Sequence, residues 1–344
     1  MVKKRRSKYR RPPVTERLSL RRFDRRDLAI LKLYGPEYRH DYLHADTMAL
    51  LLGRNVSALY NRLQALWHWE YLEKWFPPHQ YTGGSEKGVY FPGSRGEKVL
   101  QEHYKRKVPI KRLDVDEYHP FAKHTVLVNR VRVLMQQAVA NFNGLEVSYE
   151  FRDREFVHDF EAEKPVERNG KINYYTLGYS VRPDWFFALS RPNGYTSNFL
   201  VELQRSSRST KSPRSEIGKK VRQKYEAYYY LYKNELWHEW PDKKPEIRDP
   251  RNFRVLTICD MKEQEYDNLI EVVRNIDEFG RGLRLFLFIR LEDLENKIGD
   301  TKKRKTGAGR EVAEKALTQK SLIKMFGPIW QTPVVGEPLV SILN

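Results

Sequence analysis

Asp184 and Glu202 are the residues of this sequence whose types and spacing best suit chemistry. They lie in V-R-P-D-W-F-F-A-L and N-F-L-V-E-L-Q-R-S, two strand-like runs with Asn193-Gly194 as turn residues between them. Paired strands would bring the two carboxylates together, where they could hold Mg²⁺ or Mn²⁺. Such an ion polarises a phosphate and lowers the pKa of an attacking water. A lysine at the same point would offset the developing charge. Its common place is two residues after the glutamate, and Gln204, a neutral residue, stands there. Lys220 and Lys224, on the helix-like run K-K-V-R-Q-K-Y that follows, are the alternative sources. The catalytic candidates are therefore Asp184, Glu202, Gln204, Lys220 and Lys224, with Asp184 and Glu202 as metal ligands. Glu150 is a candidate third carboxylate and His124 a candidate site residue with a competing packing role. The competing reading of Asp184 and Glu202 is a buried pair satisfied by Arg182, Arg205 or backbone donors, because an unpartnered buried carboxylate is costly.

The elements around this stretch form an α/β pattern. A helix with apolar Val128, Val131, Leu134, Met135 and Val139 leads into an alternating strand, L-E-V-S-Y-E-F. A polar insertion over residues 152–178 precedes the two carboxylate strands. A helix, the strand F-R-V-L-T-I-C-D, a further helix and the strand L-R-L-F-L-F-I-R-L complete the order αβββαβαβ, which implies a mixed central sheet. Residues 296–310 read as a second basic loop, and the apolar end of the chain as a segment that packs back.

Upstream, residues 24–103 follow the order of a winged helix-turn-helix. Asp24 and Asp46 are candidate caps of the first two helices, and Asn55 or Ser57 begins the third. Val56, Leu59, Leu63 and Leu66 make that helix's apolar seam. Its opposite face carries Ser57, Tyr60, Asn61, Gln64 and His68, which could contact bases or phosphates. Two strands around Gly83-Gly84 and a last helix follow. The expected divisions are a basic arm over 1–23, a winged helix over 24–104, a linker over 105–120 and the sheet domain over 121–344.

Composition narrows the partners. The chain has 344 residues, a formal net charge of +18 and 13% aromatic residues, so it can build real cores and attracts polyanions. Twelve of the basic residues fall within the first 26 positions. The single Cys259 excludes an internal disulfide framework and a cysteine-based zinc cluster. No apolar run approaches the roughly 20 residues of a membrane helix, and the N-terminus lacks a secretory apolar core. These features predict a cytoplasmic, DNA-directed protein without a membrane partner. The serine-rich loop after Glu202 adds Arg205, Arg208, Lys211, Arg214 and Lys219 as candidate phosphate contacts.

Residues 181–204 resemble the core of the PD-(D/E)XK nuclease superfamily. The chain as a whole resembles the replication-relaxation family of plasmid and mobile-element proteins. The likeness rests on the winged helix, H-T-V-L-V-N-R-V with His124 and Asn129, R-P-D-W-F-F-A-L, V-E-L-Q-R-S-S-R-S, and the helix with Lys224-Tyr225. The family usually carries an acidic residue where Gln204 stands. The resemblance implies a role in plasmid replication or DNA relaxation, with a PD-(D/E)XK-like second domain. It leaves two readings: a Mg²⁺-dependent endonuclease or nickase, or an inactive nuclease-like fold that serves as an initiator or regulator. A homodimer and replication or mobilisation proteins are the further partners considered.

Overall fold

Asp24 opens the first helix, α1 (Arg25–Lys32), by accepting from the backbone N–H groups of Arg26 and Asp27. The Asp27 carboxylate in turn accepts from the Asp24 N–H, so three N–H donors at the helix start are satisfied. This computed structural model describes Arg11 and residues 22–76, 87–113, 120–205, 216–247, 250, 252–276, 283–298, 300–305, 311–316, 322–334 and 337–343. The expected basic arm and the Gly83-Gly84 turn lie largely or wholly outside them.

The chain divides into two compact units, Met1–Leu134 and Met135–Asn344. In the first, strand β1 (Leu43–His44) leads into α2 (Ala45–Leu52). The expected cap Asp46 sits inside the first turn, accepting from the Thr47 N–H at 2.7 Å, and His44 holds the cap position. Gly53 ends α2 at φ +60°, a left-handed conformation that glycine adopts without strain. Helix α3 (Val56–His68) is capped by Asn55, whose side chain accepts from Ser57 and Ala58. Leu59, Leu63 and Leu66 are buried, whereas Val56, at the helix start, is 44% exposed. Strands β2 (Leu72–Trp75) and β3 (Val89–Pro92) join β1 in an antiparallel sheet ordered β1-β3-β2, and α4 (Ser94–Tyr104) follows.

The division between the two units falls within one helix. Helix α5 (Pro120–Ala140) begins in the first unit, where Ala122 and Val126 enter the core. Asn129 is buried and donates to the Tyr42 carbonyl at 3.1 Å. These contacts hold the first half of the helix with the N-terminal unit.

The second unit is built on a five-stranded mixed sheet, so the α/β expectation holds. Strands β4 (Glu146–Arg152), β7 (Trp185–Ser190) and β8 (Thr196–Arg205) pair antiparallel. Strands β9 (Phe253–Asp260) and β10 (Phe286–Arg290) extend β8 in parallel, giving the order β10-β9-β8-β7-β4. The region expected as a polar insertion is a two-stranded ribbon, β5 (His158–Arg168) and β6 (Lys171–Val181). Helices α6 (Glu216–Lys233), α7 (Trp240–Lys243), α8 (Glu263–Arg274) and α9 (Leu291–Ile298) complete the unit with the hairpin β11 (Asp300–Lys305) and β12 (Glu311–Ala316). Of the expected basic loop at 296–310, the described residues are the end of α9 and strand β11. The chain end packs back as expected: Trp330 is fully buried, and Gln331 bridges to Phe288 on β10.

Tyr225, Tyr228 and Leu231 of α6 pack with Phe186, Leu200, Val255 and Phe286 of the sheet. Strand alternation puts Glu202 on the same face of β8 as Leu200, directly under α6.

Candidate functional site

Glu202 is buried completely in the middle of the sheet. Its neighbour across β8 and β9 is Thr257. Helix α6 answers both polar residues. The Lys224 ammonium donates to Glu202 Oε2 and the Tyr228 hydroxyl to Oε1, while Tyr225 Oη meets Thr257 Oγ1 at 3.0 Å. Lys224 and Tyr228 are four residues apart, one helical turn, so a single face of α6 delivers both donors. Burial pushes the Glu202 carboxyl up to about 7, only partly offset by Lys224. Burial alone would lower Lys224, but Glu202 and Asp184 outweigh it and hold the amine above its ordinary value. The Lys224 side chain is 34% exposed, so the charge sits at the edge of the core.

Asp184 occupies the bend before β7. Its N–H donates to the Val201 carbonyl at 3.0 Å, and its Oδ2 accepts from the Leu203 N–H at 2.8 Å. Asp184 therefore bonds β8 on both sides of Glu202, through its backbone N–H on one side and its carboxylate on the other. Asp184, Glu202 and Lys224 come together, as the paired-strand reading required. Glu202 takes side-chain donors from Lys224 and Tyr228, and Asp184 takes the Leu203 N–H, one of the backbone donors that the competing reading offered. Arg205 Nε lies 3.7 Å from Asp260 Oδ2.

The other candidates fall apart from this centre. Gln204 is two residues further along β8, roughly 7 Å, and borders an apolar crevice with Val221, Met261 and Leu269. Glu150 lies opposite Phe187 in the register and accepts from Trp185 Nε1 at 3.1 Å, which places it on the sheet face away from Glu202. Arg152 and Gln136 also bond its carboxylate. Lys220 and Lys219 are exposed one turn before Lys224. Arg208, Lys211 and Arg214 lie outside the described residues.

A cleft of about 720 Å³ opens beside Lys224, between α6 and the base of the ribbon. Lys220, Lys224 and Gln223 line one wall and Asp159, Glu161 and Ser180 the other. Asp159 and Glu161 in its lining oppose a phosphate there. Among the described residues no group of three or more His, Cys, Asp and Glu side chains could hold a metal ion. Both Glu202 oxygens are engaged and shielded from solvent. The expected Mg²⁺ or Mn²⁺ does not fit this arrangement.

On the first unit, Ser57, Tyr60 and Asn61 of α3 are exposed, as the helix pattern predicted. Gln64 is half-buried and donates to Tyr90 Oη at 3.4 Å, so it leans towards the sheet. Arg62 binds the buried Asp27 through two donors and clamps α3 to α1. A groove of about 870 Å³ runs along that clamp, lined by Arg26, Arg54, Asn55, Asn61 and Arg62.

The profile of the replication-relaxation family matches residues 38–239, more than half of the chain. The chain belongs to the replication-relaxation family. No curated protein and no solved structure matches it. The match in this replication-relaxation protein runs from before α2 to just beyond α6, and so spans α3 together with Asp184, Glu202 and Lys224. No helix among the described residues is long and apolar enough to cross a membrane.

Two features of the replication-relaxation chain escaped the sequence reading. Tyr228 donates its hydroxyl to Glu202; the four-residue spacing from Lys224 was the available signal. Lys74 is buried on β2, with its amine 3.3 Å from Tyr60 Oη and over the rings of Tyr60, Phe76 and Tyr90. Burial pulls its pKa down to about 8. The alternation L-E-K-W already put Lys74 on the same strand face as buried Leu72.

Proposed function

We propose that this protein binds duplex DNA in plasmid or mobile-element replication and relaxation, through α3 of a winged-helix unit, and that its PD-(D/E)XK-like second unit does not cut. The observation that carries the binding half is the exposed face of α3. Ser57, Tyr60 and Asn61 project from a helix fixed at one end by the Asn55 cap and along its side by Arg62–Asp27. Such a helix is preorganised for a groove, and hydrogen-bonding side chains at its surface suit base and phosphate contacts. The net charge of +18 supplies the attraction. Family membership supports the process.

The closed state of Glu202 supports the non-cutting half. A metal would have to displace Lys224 or Tyr228 from a fully buried carboxylate, with no third acidic ligand beside it among the described residues. The convergence of Asp184, Glu202 and Lys224 favours one rival, a nickase whose α6 withdraws when metal and DNA arrive. That rival predicts metal-dependent strand breaks.

Fluorescence anisotropy with labelled duplex tests the binding half. Tyr60→Ala and Asn61→Ala should each weaken binding roughly tenfold or more, the size of a lost groove contact. Unchanged affinity in both, with folding intact, would remove α3 from the interface.

A further inference from the structure

The β5–β6 ribbon sorts its charges by face. In an antiparallel pair, directly opposed residues share a face and successive residues alternate. The register pairs Glu161 with Gly178, Glu163 with Thr176, Pro165 with Tyr174 and Glu167 with Ile172. That face, continued by Asp159, carries four acids and no base. The register likewise pairs Ala162 with Leu177, Lys164 with Tyr175, Val166 with Asn173 and Arg168 with Lys171. That second face carries three bases and no acid. The two-residue turn Asn169-Gly170, at φ +54° and +74°, fixes the register and sets Arg168 and Lys171 side by side at the tip.

The ribbon is anchored at its base and bare beyond it. Tyr179 meets Tyr230 of α6 at 5.2 Å between ring centroids, Ala162 is buried, and Lys164 binds Glu226 at 2.7 and 2.8 Å. Every residue from Lys171 to Gly178 is exposed, a stretch of roughly 25 Å. Arg168 lies over the Tyr175 ring at 5.8 Å, which holds a guanidinium and an exposed aromatic face together near the tip.

We propose that the basic face of this ribbon, through Arg168, Lys171 and Tyr175, is a second duplex-DNA contact, distinct from α3. A two-stranded ribbon fits the width of the major groove. Charge complementarity selects the face: cations, an aromatic ring and an amide (Asn173) point one way, and every carboxylate points the other. The separation keeps the acids away from the phosphates that the cations engage. This inference rests on the reading of the protein as DNA-binding.

The test measures duplex affinity by anisotropy across a potassium chloride series, with the full chain. The double variant Arg168→Ala/Lys171→Ala should lower the slope of log affinity against log salt by about 2, and weaken binding roughly 10- to 60-fold at 0.1 M salt. Tyr175→Ala should weaken binding without changing the slope. The opposite-face variant Glu163→Gln/Glu167→Gln should leave the slope at the wild-type value. A wild-type slope and affinity in the Arg168/Lys171 variant would overturn the proposal while wild-type binding still stands. So would equal and opposite effects from the two faces, the mark of net charge alone. Unchanged DNA binding with lost self-association would reassign the ribbon to a second copy of the chain, and also overturn it. No binding by the wild type would defeat the broader DNA reading first. All substituted residues face solvent, and matched melting curves verify folding.

Discussion

Lys224 on α6 donates to Glu202 on β8, and the same oxygen pair is completed by Tyr228 one turn further along the helix. This contact ties the helix to the centre of the sheet at a point where hydrocarbon would otherwise fill the layer. It also occupies the carboxylate that a metal-dependent reaction would need.

Removing the cation alone should be costly. Lys224→Met leaves Glu202 buried without its ammonium, and breaking a buried pair costs about 3–5 kcal/mol. The partial exposure of Lys224 points to the lower end. Adding Glu202→Gln should recover most of the loss, because an amide can still accept from Tyr228. Urea unfolding of the wild type, the single variant and the double variant checks this. A full additive loss in the double variant would contradict the coupling.

The pH dependence of stability should carry the mark of Glu202. Its folded pKa of about 7 lies above the ordinary 4.5, so the folded state holds the extra proton between those values. The contribution is present below pH 4.5 and fades as pH rises through 7. Glu202→Gln should therefore gain on the wild type as pH climbs from 5 to 8, read as a growing difference in Tm. A constant difference would show that Glu202 does not titrate in that window.

Lys74 predicts the opposite sign in an alkaline window. Its folded pKa, near 8, lies below the ordinary 10.5, so the unfolded chain binds more protons between them. Stability from this group grows as pH rises from 8 towards 10.5 and is lost as pH falls through 8. Lys74→Met should be the more stable protein at pH 7, with the gap closing by pH 10. Melting curves at those two values suffice, and a gap that widens would refute the assignment.

The elements that could be read from sequence were those whose pattern is local. Leu59, Leu63 and Leu66 announce α3 by their spacing, and the alternation around Glu202 places it on the face of Leu200. Asp184 and Glu202 were legible as neighbours because both flank short apolar runs with turn residues between them. The engagement of Glu202 was not, because it depends on where α6 lies over the sheet, a tertiary fact. Lys220 and Lys224 share one face of α6, a turn apart, and only the helix's axial position over the sheet separates the exposed residue from the one that reaches Glu202. Glu150 looked like a third ligand because sequence does not reveal which face of β4 lines up with Glu202 across β7 and β8. The ribbon carried a legible sign, Asn169-Gly170 between alternating segments, that its polar composition obscured.

The central claim is that this protein holds DNA with its nuclease-like centre closed. Supercoiled plasmid incubated with the wild-type chain in Mg²⁺, Mn²⁺ or EDTA tests it most directly, with gel shift and nicking read from the same samples. The account predicts a shifted plasmid that remains supercoiled once protein is removed, in all three conditions. Nicked or linear plasmid that requires metal, and disappears in Asp184→Ala and Glu202→Ala, would contradict it.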